Sequence, residues 1–511
     1  MEIQEHNIIN FFLDAAKAYP HKTAIIHKQQ AISFSKLAQD IDITAIHFQQ
    51  QGIQQGHKVL VFVPMSIDLY RILLALFKIG ATAVFLDEWV SKKRMEESCK
   101  LAQCNAFIGT WKAIIFAQFS RELRKIPIKL GTSYLKQTSN KFIAPFVQPS
   151  DVALITFTTG STGIPKAAIR THKILTHQFI ALKEIIEPTE NDIDLCALPI
   201  VLLINLGAGS TSVIANYNAR KPDKLKESII IQQLQKHNIN RAVGSPFLLK
   251  KIAAYCIANN ISLPTLKKIF TGGATVFIND ATILQLAFPH TVVKAVYGST
   301  EAEPISAINI IDLLKSNNEL QQAGINTGMP HQCATIKILK IIDEPVAYAT
   351  DAELEKDCVP HNVIGEIIVS GKHVVQKYLH NEAAVKRTKI FIGNTCWHRT
   401  GDSGYLTQDG NLYFTGRCNN LINDNGKIIS VLFYENNLQA IAGINIGTIV
   451  KQDEKLLAIV EINHNANKEN IITAIQKLGI EDISFIQKMP RDPRHHSKID
   501  YDKLKQMYLA Q

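Results

Sequence analysis

The chain has 511 residues, of which 46% are hydrophobic and 20% are charged, and it carries a net charge of +10. This length is typical of roughly three or four domains or subdomains, and this composition excludes a disordered protein, a collagen-like fibre and a coiled coil. The excess of positive charge predicts an anionic partner, either a nucleic acid, a membrane surface or a substrate.

The first part of the chain alternates between strand-like and helix-like patterns. Residues 57–64 form a continuous apolar run of strand length, and Ser66 is expected to cap a helix that ends at Gly80. Residues 82–86 form a second apolar strand. A strand, a helix and a strand within about 30 residues predict a βαβ unit and a parallel sheet. The same alternation over 229–296 predicts a second unit of this kind.

The pattern changes at Gly365. Short strands at 366–370, 403–406 and 411–415 alternate with tight turns, which predicts a β-rich subdomain. Beyond Gly416 a smaller alternation of strands and a helix returns, and the chain ends in a basic loop followed by a helix.

Cysteine usage and the N-terminal residues indicate the compartment. The eight cysteines include no CxxC pair, which is typical of reduced thiols and not of a disulfide framework or a zinc site. The N-terminus is polar and acidic, unlike a secretory signal. The longest apolar stretch, 67–86, is interrupted by Asp68, Arg71 and Lys78, so it cannot span a bilayer. A cytoplasmic protein without integral membrane contact is expected.

The run from Thr158 to Lys166 follows an apolar strand and combines glycines, hydroxyls and a cation. Binding of a phosphate group uses all three features, since glycine allows the backbone N–H groups to approach closely and the hydroxyls and the cation supply further contacts. The order differs from a Walker A loop, since Lys166 neither follows a glycine nor precedes Ser or Thr. The candidate phosphate-binding residues are Thr158, Thr159, Gly160, Ser161, Thr162, Gly163 and Lys166.

That run closely resembles the phosphate loop of the adenylate-forming superfamily, which includes acyl-CoA synthetases, peptide-synthetase adenylation domains and luciferases. Four further segments resemble the remaining motifs of this superfamily and follow in the same order: 297–301, 400–402, 416–426 and 490–498. The resemblance therefore covers essentially the whole chain.

The resemblance implies an α/β fold with two domains. Residues 1–416 would form a large adenylation domain, built from two doubly wound α/β subdomains and a β-rich subdomain. Residues 417–511 would form a small, mobile α/β lid domain, with Asn419 at the hinge. Asparagine suits a hinge because it tolerates unusual backbone angles.

The resemblance also implies a role for each motif residue. Lys498 would contact both the substrate carboxylate and the α-phosphate, and Thr300 would donate to the α-phosphate. Glu301 would bind Mg²⁺, which prefers carboxylate and phosphate oxygens. Asp402 can accept ribose hydroxyls, and Arg417 can donate to ribose or phosphate oxygens. Besides the phosphate-binding run, the ATP and AMP site would include Gly273, Ala274, Tyr297, Gly298, Asp402 and Arg417.

The segment 198–207 is almost wholly aliphatic. Its residues Val201, Leu202 and Leu203 are expected to line an apolar acyl pocket, although core packing would produce the same pattern. With 297–306 and 492–498, this segment resembles most closely the branch that holds olefin-pathway β-lactone synthetases and fatty-acid–CoA ligase-like proteins.

The implied function is an AMP-forming, acyl-CoA synthetase-like ligase that makes an acyl-AMP from a fatty or hydrophobic acid and ATP, with Mg²⁺. The acyl group would pass to coenzyme A or an acyl carrier protein. Asn423 weakens the case for coenzyme A, because thioester-forming relatives carry a lysine there. The alternatives are a β-lactone synthetase acting on a β-hydroxy fatty acid, or a non-catalytic acyl- or nucleotide-binding scaffold.

A nucleic-acid partner is not expected, since no nucleic-acid-binding motif accompanies the positive charge. Part of the charge would serve ATP and pyrophosphate. Other lysines, at 221–226, 250–251 and 267–268, are expected to be solvated or to form a dock for an acidic carrier protein or the phosphates of coenzyme A.

Overall fold

The structure, a computed structural model, describes residues 7–86, 92–133, 142–158, 166–219, 221–316, 324–424, 426–452, 454–491 and 499–508. The strands are, in chain order, β1 (Thr23–His27), β2 (Gln30–Ser33), β3 (Lys58–Phe62), β4 (Thr82–Phe85), β5 (Ala106–Gly109), β6 (Ile128–Leu130), β7 (Val152–Thr158), β8 (Lys166–Thr171), β9 (Ile193–Cys196), β10 (Thr211–Ile214), β11 (Arg241–Gly244), β12 (Lys268–Gly272), β13 (Val292–Ser299), β14 (Ala302–Asn309), β15 (Ile325–Asn326), β16 (Thr335–Leu339), β17 (Gly365–Ser370), β18 (Lys389–Ile392), β19 (Thr395–Leu406), β20 (Leu412–Arg417), β21 (Ile422–Asp424), β22 (Lys427–Ile429), β23 (Ile444–Gln452), β24 (Lys455–Ile462) and β25 (Asp482–Ile486). The α-helices are α1 (Ile9–Ala18), α2 (Phe34–Gln50), α3 (Ile67–Lys78), α4 (Lys92–Ala102), α5 (Trp111–Gln118), α6 (Arg121–Lys125), α7 (His172–Ile186), α8 (Pro199–Ala208), α9 (Glu227–Lys236), α10 (Pro246–Ala258), α11 (Ile278–Ala287), α12 (Ile310–Ser316), α13 (Asp351–Lys356), α14 (Glu382–Thr388), α15 (Val431–Ala440), α16 (Lys468–Gln476) and α17 (Tyr501–Tyr508).

The predicted βαβ unit is present as β3, α3 and β4. Ser66 caps α3 by accepting a hydrogen bond from the backbone N–H of Leu69 at 3.3 Å. β3 pairs in parallel with both β4 and β5, in a sheet of order β6-β5-β3-β4-β7-β8. Only the edge strand β8 runs antiparallel to its neighbour within this sheet as described. β7 ends at Thr158, which pairs with Lys166 at the beginning of β8.

A second sheet has the order β14-β13-β12-β11-β9-β10-β1-β2. Its strands β9 to β13 pair in parallel, and helices α9, α10 and α11 connect them, as the sequence predicts for 229–296. The β-rich sheet has the order β15-β20-β19-β17-β16, with β18 paired to β19. These sheets form the large N-terminal part of the chain and confirm the predicted mixed α/β class.

The small C-terminal part is built from β23, β24 and β25 with helices α15 and α16 packed on them. It contacts the second sheet's helix α11, where Asn436 accepts a hydrogen bond from the backbone N–H of Ile278 at 3.1 Å. The domain boundary between residues 416 and 417 stays a prediction. None of the helices in the described ranges has the length and apolar composition needed to cross a membrane.

A buried network of charged and polar side chains joins β9, α8 and β11. Arg241 is fully buried and donates to Asp192 at 2.8 Å, to the side-chain oxygen of Asn205, and lies 3.5 Å from Asp194. Asn205 in turn donates to Asp194 at 2.6 Å and to Ser212 at 3.0 Å. One guanidinium thus neutralises two carboxylates inside the domain and fixes α8 against the sheet.

A second polar cluster, partly buried, lies in the C-terminal part. The Glu435 carboxylate on α15 accepts hydrogen bonds from the Tyr501 hydroxyl and, at 3.1 Å, from the Thr448 hydroxyl. Burial raises the pKa of Glu435 to about 7 from its ordinary value of 4.5, and these two hydrogen bonds offset part of the rise. The cluster anchors α17 to α15 and β23.

Glu435 predicts how the stability of the C-terminal part depends on pH. The folded chain keeps a proton on Glu435 that the unfolded chain releases between about pH 4.5 and pH 7, so the free energy of unfolding falls as pH rises through this window. Glu435→Gln should remove this slope and raise stability above pH 7. Hydrogen exchange of α15 and α17 amides, compared on either side of the window, measures it. An unchanged slope in the variant would contradict the assignment, and Glu469→Gln, in the first turn of the neighbouring helix α16, is the control.

Candidate active site

The motif segment 297–301, with the sequence YGSTE, lies in the hairpin between β13 and β14 at the edge of the second sheet. Tyr297 lies near the end of β13, and Thr300 and Glu301 form the two-residue turn to the antiparallel β14. Gly298 is required here, because a Cβ atom would lie only 3.0 Å from the carbonyl oxygen of Ala302. The turn leaves the Thr300 and Glu301 side chains partly exposed.

The neighbouring strand β12 runs parallel to β13, so both strands end on the same side of the sheet. Gly272 pairs with Val296, and Gly273 and Ala274 follow directly. A Cβ atom at Gly272 would lie 2.8 Å from the Val296 carbonyl oxygen, and Gly273 has a positive φ of 82°. Gly272 allows this strand end to lie close to β13, and Gly273 adopts a backbone angle that favours glycine. The contact of Gly273, Ala274 and Tyr297 with the nucleotide stays a prediction.

Lys166 and Glu301 are brought together by Tyr378. Backbone pairing of β8 with 377–379 puts Tyr378 beside Lys166, whose ammonium lies 5.9 Å from the centroid of the Tyr378 ring. The Tyr378 hydroxyl donates to Glu301 at 3.2 Å. The backbone N–H of Val375 also donates to the carbonyl oxygen of Glu301 at 2.8 Å, which fixes the hairpin against this segment.

Asp402 connects the hairpin with the β-rich sheet. It lies on the long strand β19, opposite Arg417 on β20. The Tyr297 hydroxyl donates to one carboxylate oxygen of Asp402 at 2.7 Å, and Arg417 donates to the other at 2.7 Å. A carboxylate has about four acceptor positions, so both oxygens can still accept a further hydrogen bond.

Hydrogen bonds to strand β17 stabilise the backbone next to Asp402. Gly401 has a φ of 71°, and its backbone N–H donates to Glu366 at 3.0 Å. Glu366 is buried and forms an ion pair with Arg399 at 2.6 Å, which offsets the cost of burying both charges. The Thr400 hydroxyl donates to the Ile367 carbonyl oxygen at 2.7 Å. The backbone at Asp402 is therefore rigidly held.

The charges of the site influence one another. Burial lowers the pKa of Lys166, the carboxylate of Glu301 partly offsets this, and the nearby Arg417 and Arg387 add to the lowering. Asp402 raises the pKa of Arg417, so this guanidinium stays charged. Burial and the adjacent Asp402 carboxylate raise the pKa of Tyr297 well above its usual value. The site is thus a cationic surface around two carboxylates.

The structure brings together the motif residues from four separate segments: Lys166, Tyr297, Glu301, Asp402 and Arg417. Other sequence-predicted residues lie outside the described part of the chain. These are Thr159, Gly160, Ser161, Thr162, Gly163 and Lys498, together with the side chain of Thr158. Their roles stay predictions.

The candidate acyl-pocket residues lie on α8. Val201 and Leu202 are buried in the hydrophobic core, with 4% and 0% of their surface exposed, and Leu203 is partly exposed against the same core. Asn419 is exposed in a short 3-10 turn between β20 and β21, a position that a hinge can occupy. The pocket and the hinge stay predictions.

Two residues that sequence reasoning missed, Tyr378 and Lys389, lie behind the site. Lys389 is 3% exposed, its ammonium lies 5.5 Å from the Tyr378 ring centroid, and it makes no hydrogen bond within the part of the chain that the structure describes. Its electrostatic surroundings include Cys396, Glu301 and Lys166. In the sequence a lysine at the start of a short strand is indistinguishable from a solvated one, so only the structure identifies it.

Lys389 predicts a conflict between stability and activity. Burial lowers its pKa to about 8, so between about pH 8 and pH 10.5 the unfolded chain holds a proton that the folded chain has released, and stability rises with pH. Lys389→Met should raise the free energy of unfolding near pH 7 by about 1–3 kcal/mol, because an apolar side chain replaces an unpaired buried charge. It should also remove the rise above pH 8. The exposed Lys386→Met is the matched control.

The same variant should also lower the activity that the motifs imply, the formation of an acyl-AMP and pyrophosphate. Removing a positive charge beside Tyr378 and Glu301 is expected to lower pyrophosphate exchange by about tenfold, which corresponds to about 1.4 kcal/mol. Lys389 acts through its neighbours, so we regard it as a positioning residue. A stabilised variant with unchanged exchange would show that Lys389 has no part in the site.

Comparisons with known proteins identify the family and the fold of the chain. The family model described as AMP-binding enzyme matches residues 12–379. The olefin beta-lactone synthetase of Xanthomonas campestris pv. campestris is 26% identical over 411 residues, which cover 76% of this chain and 72% of that protein. The structure of the amide bond synthetase McbA from Marinactinospora thermotolerans is similar with a TM-score of 0.82 at 16% identity, covering 98% of this chain and 99% of that one.

A further solved structure is O-succinylbenzoate coenzyme A synthetase from Bacillus subtilis in complex with ATP and magnesium ion. It has a TM-score of 0.79 at 18% identity and covers 97% of this chain and 99% of that one. Structural similarity at 16% and 18% identity shows only the fold. The family model matches well over half of the chain and therefore shows the family. The chain belongs to the AMP-binding enzyme family of adenylate-forming ligases.

Proposed function

We propose that this chain activates a carboxylic acid with ATP, forming an acyl-AMP and pyrophosphate. A carboxylate oxygen of the acid attacks the α-phosphorus, the new O–P bond forms, and the bond from the α-phosphorus to the pyrophosphate oxygen breaks. The observation that carries the proposal is the convergence of Lys166, Glu301, Asp402 and Arg417, which come from three different sheets, beside the β13–β14 hairpin.

These residues supply what such a reaction needs. No general base is required, because a carboxylic acid is already ionised near neutral pH. Catalysis then depends on positioning and on stabilising negative charge, and Lys166 and Arg417 are cations at the site. Tyr297 offers a ring face to adenine, and Asp402 can accept ribose hydroxyls. Lys498 is proposed to contact the carboxylate and the α-phosphate.

Glu301 is suited to Mg²⁺ when ATP is bound. Within the described residues no group of three or more His, Cys, Asp or Glu side chains is arranged to hold a metal ion. A partly exposed single carboxylate fits Mg²⁺, which commonly binds one or two carboxylates, phosphate oxygens and water. The ion would neutralise charge on the phosphates, while Tyr378 orients the carboxylate by its hydrogen bond.

We propose a fatty or otherwise hydrophobic acid as substrate, with the aliphatic helix α8 contributing to its pocket. Two acceptors of the acyl group are distinguishable. Transfer to coenzyme A or a carrier-protein thiol forms a thioester and releases AMP. In the alternative, a β-hydroxyl oxygen of the substrate attacks its own acyl carbon, the bond to AMP breaks, the hydroxyl proton passes to solvent, and a β-lactone results.

Asn423 favours the internal acceptor over coenzyme A. Its side chain accepts a hydrogen bond from the backbone N–H of Gly426 at 2.9 Å, so it serves the β21–β22 turn. The ammonium of Lys451 lies 3.5 Å from the Asn423 carbonyl oxygen and is paired with Asp424 at 3.2 Å. Asparagine at this position itself supplies no positive charge to a thioester-forming step.

We further propose that residues 417–511 rotate as a lid about Asn419 between the two half-reactions. Asn419 is exposed, and the chain on both sides of it is held. The Ser430 hydroxyl, which follows Asn419, donates to the carbonyl oxygen of Thr415, which precedes it, at 2.8 Å. Rotation about Asn419 would therefore break or reorient this hydrogen bond. Hinge closure of this kind commonly separates the steps of a reaction.

One experiment tests the function and separates the acceptors. Pyrophosphate exchange is measured with a panel of fatty and β-hydroxy fatty acids, and products are identified by mass spectrometry with and without coenzyme A. Exchange with at least one acid supports adenylation, and no exchange with any acid would indicate a binding scaffold. A lactone formed without coenzyme A supports the internal acceptor, whereas an acyl-CoA product would establish the thioester.

A further inference from the structure

The surplus positive charge of the chain is concentrated in one region. Residues 92–133 contain nine lysines and arginines but only three glutamates and no aspartate, a net charge of +6 out of +10 for the whole chain. By contrast, some of the lysines that the sequence suggested as a dock are paired with carboxylates. Lys250 lies 2.6 Å from Asp280, and Lys268 lies 3.5 Å from Glu187.

The same region carries an exposed apolar helix face. On α5 the side chains of Trp111, Ile115 and Phe116 are 68%, 52% and 38% exposed, and Phe119, which follows the helix, is 74% exposed. The side of α5 that faces the core holds the small residues Ala113 and Ala117. This is the reverse of an ordinary surface helix, whose largest apolar side chains face inward.

Basic side chains border this face at both ends. The Lys112 ammonium lies 5.3 Å from the Trp111 ring centroid. At the other end, Phe119 is followed by helix α6, on which Arg121, Arg124 and Lys125 are exposed. Glu122 is the one acidic residue of α6, and it lies 2.7 Å from Lys125 and 3.9 Å from Arg121. Aromatic and aliphatic side chains are thus flanked by cations.

We propose that α5 and α6 dock this chain peripherally on an anionic lipid bilayer. The exposed Trp111, Ile115, Phe116 and Phe119 enter the interfacial region, and Lys112, Arg121, Arg124 and Lys125 meet anionic headgroups. A helix with large apolar side chains on one face and basic residues beside them binds membrane surfaces in this way. The inference does not rest on the proposed function, because lipid binding needs neither ATP nor an acid.

The charge argues against a second copy of the chain as the occupant. In a two-fold symmetric dimer the same patch meets itself, so the cations Lys112, Arg121, Arg124 and Lys125, with the single carboxylate of Glu122, would face an identical set. An anionic bilayer complements the charge and also accepts the exposed aromatic and aliphatic side chains. An acidic protein would complement the charge as well, and the experiment distinguishes it.

The test is co-sedimentation of the full chain with vesicles of phosphatidylcholine alone or mixed with phosphatidylglycerol. We expect binding to the mixed vesicles that weakens as salt is raised, and little binding to phosphatidylcholine alone. Trp111→Ser with Phe119→Ser should weaken binding about tenfold or more, as expected for losing two large apolar contacts. Ile257→Ser with Leu286→Ser, 48% and 68% exposed in the native chain, is the control and should bind normally.

A charge variant and two further measurements complete the test. Arg121→Gln with Arg124→Gln should reduce binding to anionic vesicles, whereas Lys455→Gln with Lys477→Gln, also exposed, should not. Unchanged melting temperatures would show that the variants fold. No binding to anionic vesicles, or equal loss in both control pairs, would overturn the proposal. So would light scattering that shows a dimer which the Trp111 and Phe119 changes dissociate, or binding only to an acidic carrier protein.

Discussion

Replacing Glu301 with glutamine is expected to lower pyrophosphate exchange by about 10²- to 10³-fold, the usual cost of losing one preorganised electrostatic group. Glutamine keeps the size of the side chain and can still accept the hydrogen bond from Tyr378. Only the negative charge is lost, so the effect reports the charge. Because Mg²⁺ binds carboxylate oxygens far better than amides, the Mg²⁺ concentration needed for half-maximal exchange should also rise.

Two comparisons make this result specific. Lys498→Ala should lower exchange on a similar scale but leave the Mg²⁺ requirement unchanged, since a lysine is not a metal ligand. Glu382→Gln, an exposed carboxylate at the beginning of α14, should change neither quantity. Wild-type exchange in the Glu301 variant, at any Mg²⁺ concentration, would refute the role assigned to this residue.

Replacing Arg241 with methionine is expected to lower the local free energy of unfolding by about 3–5 kcal/mol, because it leaves the carboxylates of Asp192 and Asp194 in the domain without their cation. Burial already raises the pKa of Asp194, and Arg241 lowers it. Without the guanidinium Asp194 should bind a proton more readily. The destabilisation should therefore shrink as pH falls.

Native-state hydrogen exchange of the β9 and β11 amides measures this loss directly, since it reports the stability of a part of the fold. Adding Asp194→Asn to Arg241→Met should restore part of the stability by removing the stranded charge. Lys340→Met removes an exposed partner of Asp357 and should cost less than about 1 kcal/mol. Equal losses in the Arg241 and Lys340 variants would contradict the buried-network interpretation.

The parts of the fold that sequence patterns predicted well are those where hydrophobic residues decide the structure. The βαβ unit at β3, α3 and β4 follows from an apolar run, the Ser66 cap and Gly80. Helix α10, Pro246–Ala258, lies within the alternation of strands and helices that the sequence predicted over 229–296. In these elements local propensity, capping and burial agree, so short windows of sequence are sufficient.

Strand β19 shows where such reasoning stops. The sequence predicted a strand only at 403–406, whereas the strand extends back to Thr395. Its early part places His398 and Arg399 in the interior, and polar side chains there look like an exposed loop in the sequence. Their burial is offset by partners far along the chain, such as Glu366 and the Thr388 carbonyl oxygen, which no local pattern shows.

In the candidate site, too, some residues could be predicted from the sequence and others could not. Lys166, Glu301, Asp402 and Arg417 stand in motifs whose residue types suit phosphate, metal and ribose, so the sequence was sufficient to propose them. Tyr378 carries no such signal, because its importance comes from backbone pairing with β8 and a hydrogen bond to Glu301 across 77 residues. Contacts between distant segments are what the structure adds.

Strand β19 also has a geometric consequence for the nucleotide. At His398 it pairs with Lys389, which lies behind Tyr378 and Glu301, and four residues later it reaches Asp402, the residue proposed to bind the ribose. Four residues of strand span at most about 13 Å. If the proposed roles are correct, this one strand sets the distance between the metal-binding and ribose-binding ends of the nucleotide site, and the proposed rotation of the C-terminal part would leave that distance unchanged.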